Sequence, residues 1–584
     1  KAVVTAPAES AGGQYIQLGA RKNAAGQFYG LSDQVAQEIT NPLAYISTRL
    51  GNYNWSHNVV GNTFLEMEPV KGLQFRSTLG AKISFWGDET FTPVYYLNSS
   101  SKNPRTSFNR GQHQSYAWNI ENTVSYTRSF NQHNITLLAG QGAYMDNRLK
   151  ELNVMFYDIP ATTFEQASLN FKSAAANRIS DGKENIDHRV SSLFGRINYN
   201  YAEKYLVEGI LRRDGSSRFG SNNRYGIFPS YSLGWVASKE NFWPENNVVD
   251  FLKFRGGYGT VGSDEIADKA FEATIGSGRN YNFGPSGYTV GYSPNAPANP
   301  NLKWEATSQT NIGFEATLLR NINLSFDWYS KKTKDILMMP RLPLFLGAIG
   351  NSAANVGSME NSGVEVELGY HAKIGEVEFS ANGNASYMRN KVTYLGDGVT
   401  RLGDKEEKFQ NMPEIVRTEI GHAFNSFYGY ELMGIFQSQQ QIDAYTNKAG
   451  GKIQPNAKPG DFQFADLDGD GSISDKDRTF IGNPTPSWTY GLTISAAYKG
   501  FDIVAFGQGV NGNKIFQGLR RLDIPKANWQ TKALERWTPE NPSTTYPRLT
   551  ESDPNKNYSS PSSFYLEDGS YFRLKTLQVG YSLP

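Results

Sequence analysis

The stretch SSLFGRINYNYAEKYLVEGILRR, residues Ser191–Arg213, contains two alternating runs joined by a tight turn. In Ser191–Tyr201 apolar and polar side chains fall on opposite faces at a two-residue period, which predicts a β-strand. The turn at Ala202–Glu203 leads into a second such run, Lys204–Arg213, so the pair is predicted to form a β-hairpin. The first run has about eleven residues, the length that a tilted strand needs to cross a membrane, whereas soluble strands average about five or six.

The same strand–turn–strand unit recurs along the whole chain, and about fifteen strands are predicted. Turns within each pair are tight, whereas connections between pairs run to tens of residues, as in the external loops of barrels. Examples are the connection of more than about forty residues before Ser191 and one excursion over 390–486. This asymmetry is typical of outer-membrane barrels, which have short periplasmic turns and long external loops. The predicted strands are Asn62–Glu68, Leu73–Phe85, Trp118–Phe130, Ile135–Tyr144, Ser191–Tyr201, Lys204–Arg213, Phe228–Ala237, Phe251–Thr260, Thr310–Leu318, Ile322–Ser330, Val364–Tyr370, Val377–Tyr387, Trp488–Tyr498, Phe501–Gln508 and Tyr571–Tyr581.

The predicted fold class is all-β: a large antiparallel transmembrane β-barrel with long extracellular loops. Residues 1–61 are expected to form an extracellular loop region, and residues 62–584 the barrel strands with their loops. The apolar face of each strand would meet lipid, and the polar face would line the lumen. An odd strand count does not make a complete bacterial barrel, so the chain is expected to be cut short. The alternative is a soluble sandwich, a propeller or a surface adhesin.

Composition narrows the class of protein further. Aromatic residues make up 13% of the 584 residues, and the net charge of +1 provides no field for gripping phosphate, so nucleic-acid binding is not expected. The chain has 0 Cys, which excludes disulfides, thiolate metal sites and cysteine nucleophiles. It contains no run of about eighteen apolar residues, so no transmembrane helix is predicted.

Several stretches together resemble one family, the SusC/RagA-type TonB-dependent outer-membrane transporters of Bacteroidetes. The resemblance covers nearly the whole chain, and the motifs are specific in combination. They are LRRDGSSRFG at Leu211–Gly220, FPSYSLGW at Phe228–Trp235, NPNLKWE at Asn299–Glu305, SFYGY at Ser426–Tyr430 followed by Gly434–Phe436, and the segment Asp461–Gly482.

The resemblance implies a fold and a set of partners. The family has a 22-stranded barrel with an amino-terminal plug, so the plug, about five early strands and about two final strands are expected to lie outside this chain. Members are driven through TonB, work with a SusD-like surface lipoprotein, and import glycans or peptides too large for porins. The expected partners are therefore a SusD-like lipoprotein, TonB through segments outside this chain, membrane lipid, and an oligosaccharide or peptide substrate.

The strongest local motif is DLDGDGSISDKD at Asp466–Asp477, which resembles a calcium-binding loop. It has oxygen ligands at positions 1, 3 and 5, glycine at 6, a backbone carbonyl at 7 and a carboxylate at 12. Position 12 is Asp rather than the longer Glu, and Ser474 at position 9 would act through water. A structural calcium ion is predicted, the alternative being an Asp/Gly turn that needs no ion. The candidate ligands are Asp466, Asp468, Asp470, Ser472 and Asp477.

Other motifs favour structure over chemistry. Gly257–Gly262 matches a dinucleotide-binding pattern, but no helix is predicted after it, so small residues at a strand bend are the better interpretation. The aromatic clusters Tyr281–Phe283 and Tyr288–Tyr292 would suit sugars, peptides or loop packing equally. Six histidines lack metal-ligand spacing and are expected in turns or loops. They are His57, His113, His133, His188, His371 and His422.

No catalytic constellation is found, so no enzyme is predicted. The expected function is active import of oligomeric nutrients across the bacterial outer membrane. The alternative is a secreted or surface β-rich protein that adheres to cells or binds glycans and has no transport activity.

Overall fold

The computed structural model describes residues 42–96, 101–171, 174–185, 187–244, 248–284, 287–340, 350–402, 409–520 and 529–583. Most of the predicted loop region 1–61, up to residue 41, lies outside these residues. The described α-helices are α1 (Pro42–Ser47) and α2 (Gln439–Ala444). Within the described part of the chain, no helix combines the length and apolarity needed to span a bilayer.

In the described part of the chain, fifteen long strands follow one another in a single antiparallel sheet, in agreement with the predicted number. Each strand pairs with its neighbours in chain order, and the first and last strands lie at the two sheet edges. One extra strand, Arg178–Glu184, pairs with the fourth. The long strands are β1 (Tyr53–Val70), β2 (Leu73–Thr92), β3 (Ser107–Phe130), β4 (His133–Tyr157), β5 (His188–Tyr201), β6 (Tyr205–Ser216), β7 (Tyr225–Val236), β8 (Val249–Ser263), β9 (Glu305–Leu318), β10 (Ile322–Lys334), β11 (Ser358–Ile374), β12 (Val377–Tyr394), β13 (Trp488–Tyr498), β14 (Phe501–Asn511) and β15 (Tyr571–Tyr581).

Most of the long strands extend beyond their predicted ends, β3 for example beginning at Ser107 rather than Trp118, and the differences at β1 and β4 change the neighbouring loop regions. Strand β1 begins at Tyr53 rather than Asn62, so the loop region does not extend to residue 61. Strand β4 continues to Tyr157 instead of ending at Tyr144, so the connection before β5 is shorter than predicted. In both cases the backbone pairing with a neighbouring strand continues beyond the apolar alternation. The alternation ends sooner because it reports contact of one face with an apolar medium, not backbone pairing.

The connections at the two ends of the strands differ in length, as predicted. We call these two ends of the sheet the tight-turn edge and the external edge. At one edge the connections are tight, such as residues 131–132 between β3 and β4 and residues 499–500 between β13 and β14. At the other edge the connections are long, and the longest are residues 395–487 and 512–570. The tight turn after β5 has Ala202 at φ 52° and Glu203 at φ 54°, which fits the right-handed twist of a two-residue hairpin.

The outward face of the sheet is apolar and exposed. On β7 the large side chains at alternating positions from Tyr225 to Trp235 are all exposed. A row of rings crosses four strands near the tight-turn edge, with 5.9 Å between the centroids of Trp235 and Phe254, 6.5 Å between Phe254 and Phe314, and 5.7 Å between Phe314 and Phe326. Such aromatic rows are typical of the membrane–water interface of barrels.

The opposite face carries ion pairs that span several strands. Arg255 on β8 donates hydrogen bonds to Asp327 and Ser325 on β10 and is ion-paired with Glu315 on β9. Lys253 lies 3.5 Å from Glu315. These residues alternate with the rings Phe254, Phe314 and Phe326 along their strands, so charged and aromatic side chains lie on opposite faces of the sheet, as a wall between lipid and a polar lumen requires.

The external edge carries the short elements. The short strands pair as Tyr95–Tyr96 with Lys102–Asn103, Thr274–Gly276 with Ser293–Ala296, Tyr281–Asn282 with Tyr288–Thr289, Leu337–Met338 with Ala354–Asn355, Leu432–Ile435 with Phe462–Phe464, and Lys514–Phe516 with Leu566–Asp568; Arg401–Leu402, Val416–Glu419, Ser426–Tyr430 and Arg478–Gly482 form a four-stranded sheet. The described 3₁₀ turns are Phe164–Gln166, Ala175–Asn177, Ala237–Lys239, Asp475–Asp477, Thr531–Glu535 and Ser563–Tyr565. Of these turns, Ala237–Lys239 alone lies in a connection at the tight-turn edge.

Candidate functional site

Two external connections pack together into one unit, which we call the external loop unit. It comprises residues 395–402 and 409–487 between β12 and β13, and residues 512–520 and 529–570 between β14 and β15. Its core buries Ile435, Phe462 and Phe464, and Phe564 of the second connection packs on them with ring centroids of Phe462 and Phe564 5.1 Å apart. The 390–486 excursion is therefore not an isolated loop, because it shares a core with a connection that follows it in sequence.

A buried polar network ties the two connections of the unit together. Asp461, which is 0% exposed, accepts hydrogen bonds from Arg548 at 2.6 and 3.0 Å and from the Asn557 amide at 2.8 Å. The backbone N–H of Phe462 donates to the side-chain Oδ1 of Asn557 at 3.0 Å, and the side-chain amide of Gln454 donates to the Oδ1 of Asn555 at 3.0 Å. A buried carboxylate is tolerated when it is paired and hydrogen-bonded in this way.

The predicted cation loop lies on the surface of this unit, with three of its carboxylates converging. One oxygen each of Asp466, Asp468 and Asp470 lies within 4.8 Å of the other two. The backbone forms the sharp turn that the motif predicts, with Gly469 at φ 70° and Gly471 at φ 87°, a region that favours glycine. The two oxygens of Asp466 accept hydrogen bonds from the N–H groups of Gly469 at 2.9 Å and Gly471 at 3.0 Å, which holds the loop closed.

Asp477, the last predicted ligand, is engaged differently. It is 0% exposed, and its oxygens accept hydrogen bonds from the backbone N–H groups of Leu467 at 2.8 Å and Ser474 at 2.7 Å. Ser474 and Asp477 also form a capping box on the 3₁₀ turn Asp475–Asp477. Asp477 therefore closes the loop from behind, whereas Asp466, Asp468 and Asp470 form the converging group.

The charges around the loop favour a cation. The hydroxyl of Ser472 donates to Asp470 at 2.8 Å, and this bond and the Ser472 N–H hold the pKa of the Asp470 carboxyl below its ordinary value. Three ionised carboxylates repel one another at this separation, and the described cation near them is the exposed Lys476, whose Nζ lies 3.8 Å from Asp468 and 4.0 Å from Asp470. A dense set of hard oxygens with surplus negative charge is what Ca²⁺ requires.

The strand that follows the loop is anchored in the unit. Arg478–Gly482 pairs with Ser426–Tyr430, and the Arg417 guanidinium lies 3.3 Å from the ring centroid of Tyr428. Burial, followed by the charges of Asp475 and others, raises the pKa of Tyr430 to about 12. The loop thus rises from a rigid base that positions its backbone.

The glycine motif Gly257–Gly262 lies within strand β8 and is followed by a loop, as predicted. A Cβ at Gly262 would collide with the ring of Phe228 on the neighbouring strand. The close approach of the two strands explains this glycine without a nucleotide.

The prediction for the histidines is wrong for five of the six, which lie on strands: His57, His113, His133, His188 and His371. His188 is 3% exposed and lies between two carboxylates that are distant in sequence. Sequence spacing gave no signal of this cluster, because its members come from four separate segments. The aromatic residues Tyr281, Phe283, Tyr288 and Tyr292 lie on an exposed hairpin.

The fold and the two-faced sheet define a membrane β-barrel with built-up external loops. Residues 10–584 match the family described as "TonB dependent receptor-like, beta-barrel". The chain belongs to this family, whose members are outer-membrane proteins, and it lies in the bacterial outer membrane.

Relatives and solved structures agree with this assignment. The chain is 32% identical over 559 residues to TonB-dependent receptor P3 of Formosa agariphila, covering 94% of this chain and 53% of the relative. It is 27% identical over 556 residues to TonB-dependent receptor SusC of Bacteroides thetaiotaomicron, covering 93% of this chain and 51% of the relative. It is similar in fold to the RagAB peptide importer in its open-open state, with a TM-score of 0.78, 24% identity, and coverage of 98% of this chain and 61% of that one.

The chain thus spans about half the length of the curated relatives that it matches. These relatives are named as receptors rather than enzymes. The resemblance stated from the sequence motifs, to the SusC/RagA-type transporters, is confirmed.

Proposed function

We propose that the protein to which this chain belongs imports oligomeric nutrients, glycans or peptides, across the outer membrane. The observation that carries the proposal is membership of the TonB-dependent receptor family. The sheet agrees with it, because its outward face is apolar and its inward face is charged. Import would draw energy through TonB and use a SusD-like surface lipoprotein as a partner. Both inferences rest on the likeness to SusC of Bacteroides thetaiotaomicron and on the RagAB fold.

The test is uptake in a strain that lacks the gene. Labelled oligosaccharides and oligopeptides too large for porins are offered to the parent, the deletion strain, the complemented strain and a strain without TonB. We expect uptake of one class in the parent and complemented strains alone. Uptake that persists without the gene or without TonB would contradict active import by this protein.

The lipoprotein partner is tested separately by purification from the outer membrane in mild detergent. A surface lipoprotein is expected to copurify in a fixed ratio. Recovery of the receptor alone, from membranes in which uptake has been demonstrated, would contradict the partner and leave the transport proposal standing.

We also propose that the Asp466–Asp477 loop holds a structural Ca²⁺ ion. The convergence of Asp466, Asp468 and Asp470 supports this proposal. The ion would stiffen the external loop unit, because it would neutralise the mutual repulsion of the carboxylates. Within residues 409–520, which the structure describes, no pair of helices flanks the loop in the arrangement of a calcium sensor, so a regulatory opening is not proposed.

Metal analysis of the purified protein tests the ion. The parent is expected to hold one calcium ion per chain at this loop, and the Asp468→Ala/Asp470→Ala double variant to lose it. An Asp397→Ala variant, which changes an aspartate of the same connection outside the motif, serves as the control and should retain the ion. A parent protein without calcium after dialysis against micromolar Ca²⁺ would refute the proposal.

A further inference from the structure

His188 lies where four segments of the external rim meet. Its Nε2 is 2.7 Å from the Asp264 carboxylate, which follows directly after strand β8. Its Nδ1 is 3.2 Å from the Asp146 carboxylate on β4. The residue is 3% exposed, and its contact with Asp264, whose side chain is 16% exposed, is the more shielded of the two because the Asp146 side chain is 50% exposed. A single imidazole therefore links the start of a long external segment to a strand four positions away in the sheet.

The cluster lies above the membrane rather than in it. Strand β5 ends at the tight turn after Tyr201, and a tilted strand needs about nine to eleven residues to cross the hydrocarbon. Ser191–Tyr201 supplies this length, so His188 lies beyond the crossing segment on the external side. The surroundings of His188 are accordingly set by protein groups and by the external medium.

The geometry favours a protonated ring. A neutral imidazole donates from one nitrogen only, whereas both nitrogens of His188 face carboxylate oxygens, which are acceptors at neutral pH. Ser216 Oγ lies 3.4 Å from Nε2 and is 0% exposed. The arrangement resembles a Ser–His–Asp triad, but Nε2 is occupied by Asp264 and Ser216 has no access to a substrate, so it is not a nucleophilic site.

The neighbouring acidic groups are paired with arginines, and the charge of Arg218 opposes protonation of His188, so the two carboxylates that contact the ring are what favour a cation at this position. Arg218 Nε lies 2.9 Å from Asp268, and its Nη1 donates to the Asp264 carbonyl oxygen at 3.2 Å. Arg212 is paired with Asp214 at 2.7 Å, and the Tyr144 ring meets the imidazole edge-on. Asp187, adjacent in sequence, is paired with Arg189 and Arg148. Within this described cluster, the groups that face His188 or pack on its neighbours are Asp146, Asp214, Asp264, Asp268, Arg212, Arg218 and Tyr144.

We propose that protonated His188 acts as a pin, a contact that fastens the start of the external segment 264–284 to the sheet rim, and that alkaline medium weakens this contact. The segment leads from Asp264 to the exposed rings Tyr281 and Phe283, so the pin holds the start of a segment that carries exposed aromatic side chains. This device concerns the mobility of the segment alone and holds whatever the imported substrate is.

The sign of the pH dependence follows from the two partners. Burial favours the neutral ring, but the hydrogen bond and charge of Asp264 outweigh it and hold the pKa of His188 above its ordinary value of 6.5. Burial opposes ionisation of Asp264, yet the bonds from His188 and Ser216 hold the pKa of this carboxyl below 3.8. The pin is therefore fully present between the ordinary pKa values of the two groups. As pH rises through the raised pKa of His188, the ring loses its charge and one of its two N–H donors, so the part of the stabilisation that depends on the charged ring is lost.

Hydrogen exchange on the detergent-solubilised protein tests the proposal, with the amides of residues 264–272 as the reporter. Exchange is measured at about pH 5.5 and about pH 9, on either side of the histidine range, and each rate is corrected for the intrinsic pH dependence of exchange. Each unit by which the pKa of His188 is raised makes opening about tenfold more frequent at the alkaline limit. We expect opening of these amides to rise several-fold with pH in the parent protein.

Three variants make the result specific. His188→Gln and Asp264→Asn should each open the segment at about pH 5.5 as readily as the parent does at about pH 9. His371→Gln, a histidine near the tight-turn edge, should leave the parent profile unchanged. Heat-shifted gel migration checks that each variant is folded. Parent amides equally protected at both pH values, or a pH profile that survives in His188→Gln, would overturn the proposal.

Discussion

Strand β7 offers a direct test of which face meets lipid. The side chains of Tyr225, Ile227, Tyr231, Leu233 and Trp235 alternate along it and are all exposed, and Tyr231 is 56% exposed. An arginine at position 231 would place a charge in hydrocarbon if this face meets lipid. If the face were instead covered by protein or water, the substitution would not carry the free-energy cost of placing a charge in hydrocarbon.

The structure sets the magnitude. Ten steps separate Tyr225 from Trp235, and at about 3.3 Å per residue and a tilt of about 40° they rise about 25 Å, which is the height of the apolar band of a barrel. The two rings therefore mark the two interfaces, and Tyr231 lies within about 3 Å of the midplane. Arginine costs about 2–4 kcal/mol at the midplane and about 0–1 kcal/mol near an interface. The charge introduced by Tyr231→Arg should therefore lower the free energy of unfolding more than the charge introduced by Trp235→Arg.

The matched control lies one residue away on the other face. Ser232 is in register with Glu208 of β6, so Ser232→Arg would place its charge in the lumen opposite a carboxylate. We expect this variant to change the unfolding free energy by no more than about 0.5 kcal/mol.

The assay is urea-induced unfolding from lipid vesicles, followed by the heat-shifted gel migration of folded barrel. Equal losses for Tyr231→Arg and Ser232→Arg would refute the assignment of the two faces. A larger loss for Ser232→Arg would reverse it.

The remaining predictions concern the external edge. Arg548→Met leaves the buried Asp461 carboxylate without its charged partner, which should cost about 3–5 kcal/mol of stability within the external loop unit and make this unit sensitive to protease. The double variant Asp461→Asn/Arg548→Met should recover part of this loss, and equal protease sensitivity of the single and double variants would contradict the pairing. Because the chain has 0 Cys, a membrane-impermeant maleimide should label intact cells carrying Tyr288→Cys but not Glu376→Cys, which lies in a tight turn; the reverse pattern would invert the proposed orientation.

The strands were largely predictable because successive side chains of a barrel strand face lipid and lumen in turn, which gives the sequence a two-residue period of apolar and polar residues. Trp488–Tyr498 and Tyr571–Tyr581 begin and end where the alternation predicts. The prediction was too short at the external ends of most other strands, including β1, β3 and β4, where pairing with a neighbour continues without a lipid-facing side. The Asp466–Asp477 loop was also recognisable, because its candidate ligands lie close in sequence and their spacing alone makes the turn.

By itself the sequence determined the fold class, the number of strands, the two-faced wall and the position of the acidic loop, since each depends on neighbours within about a dozen residues. The tertiary structure alone decided that Asp477 turns to the backbone amides, that Phe564 and Arg548 complete the core around Phe462 and Asp461, and that His188 lies between Asp146 and Asp264. These contacts join residues of up to about a hundred positions apart, and no local periodicity records them. Backbone pairing and loop packing bring such residues together only after the chain has folded.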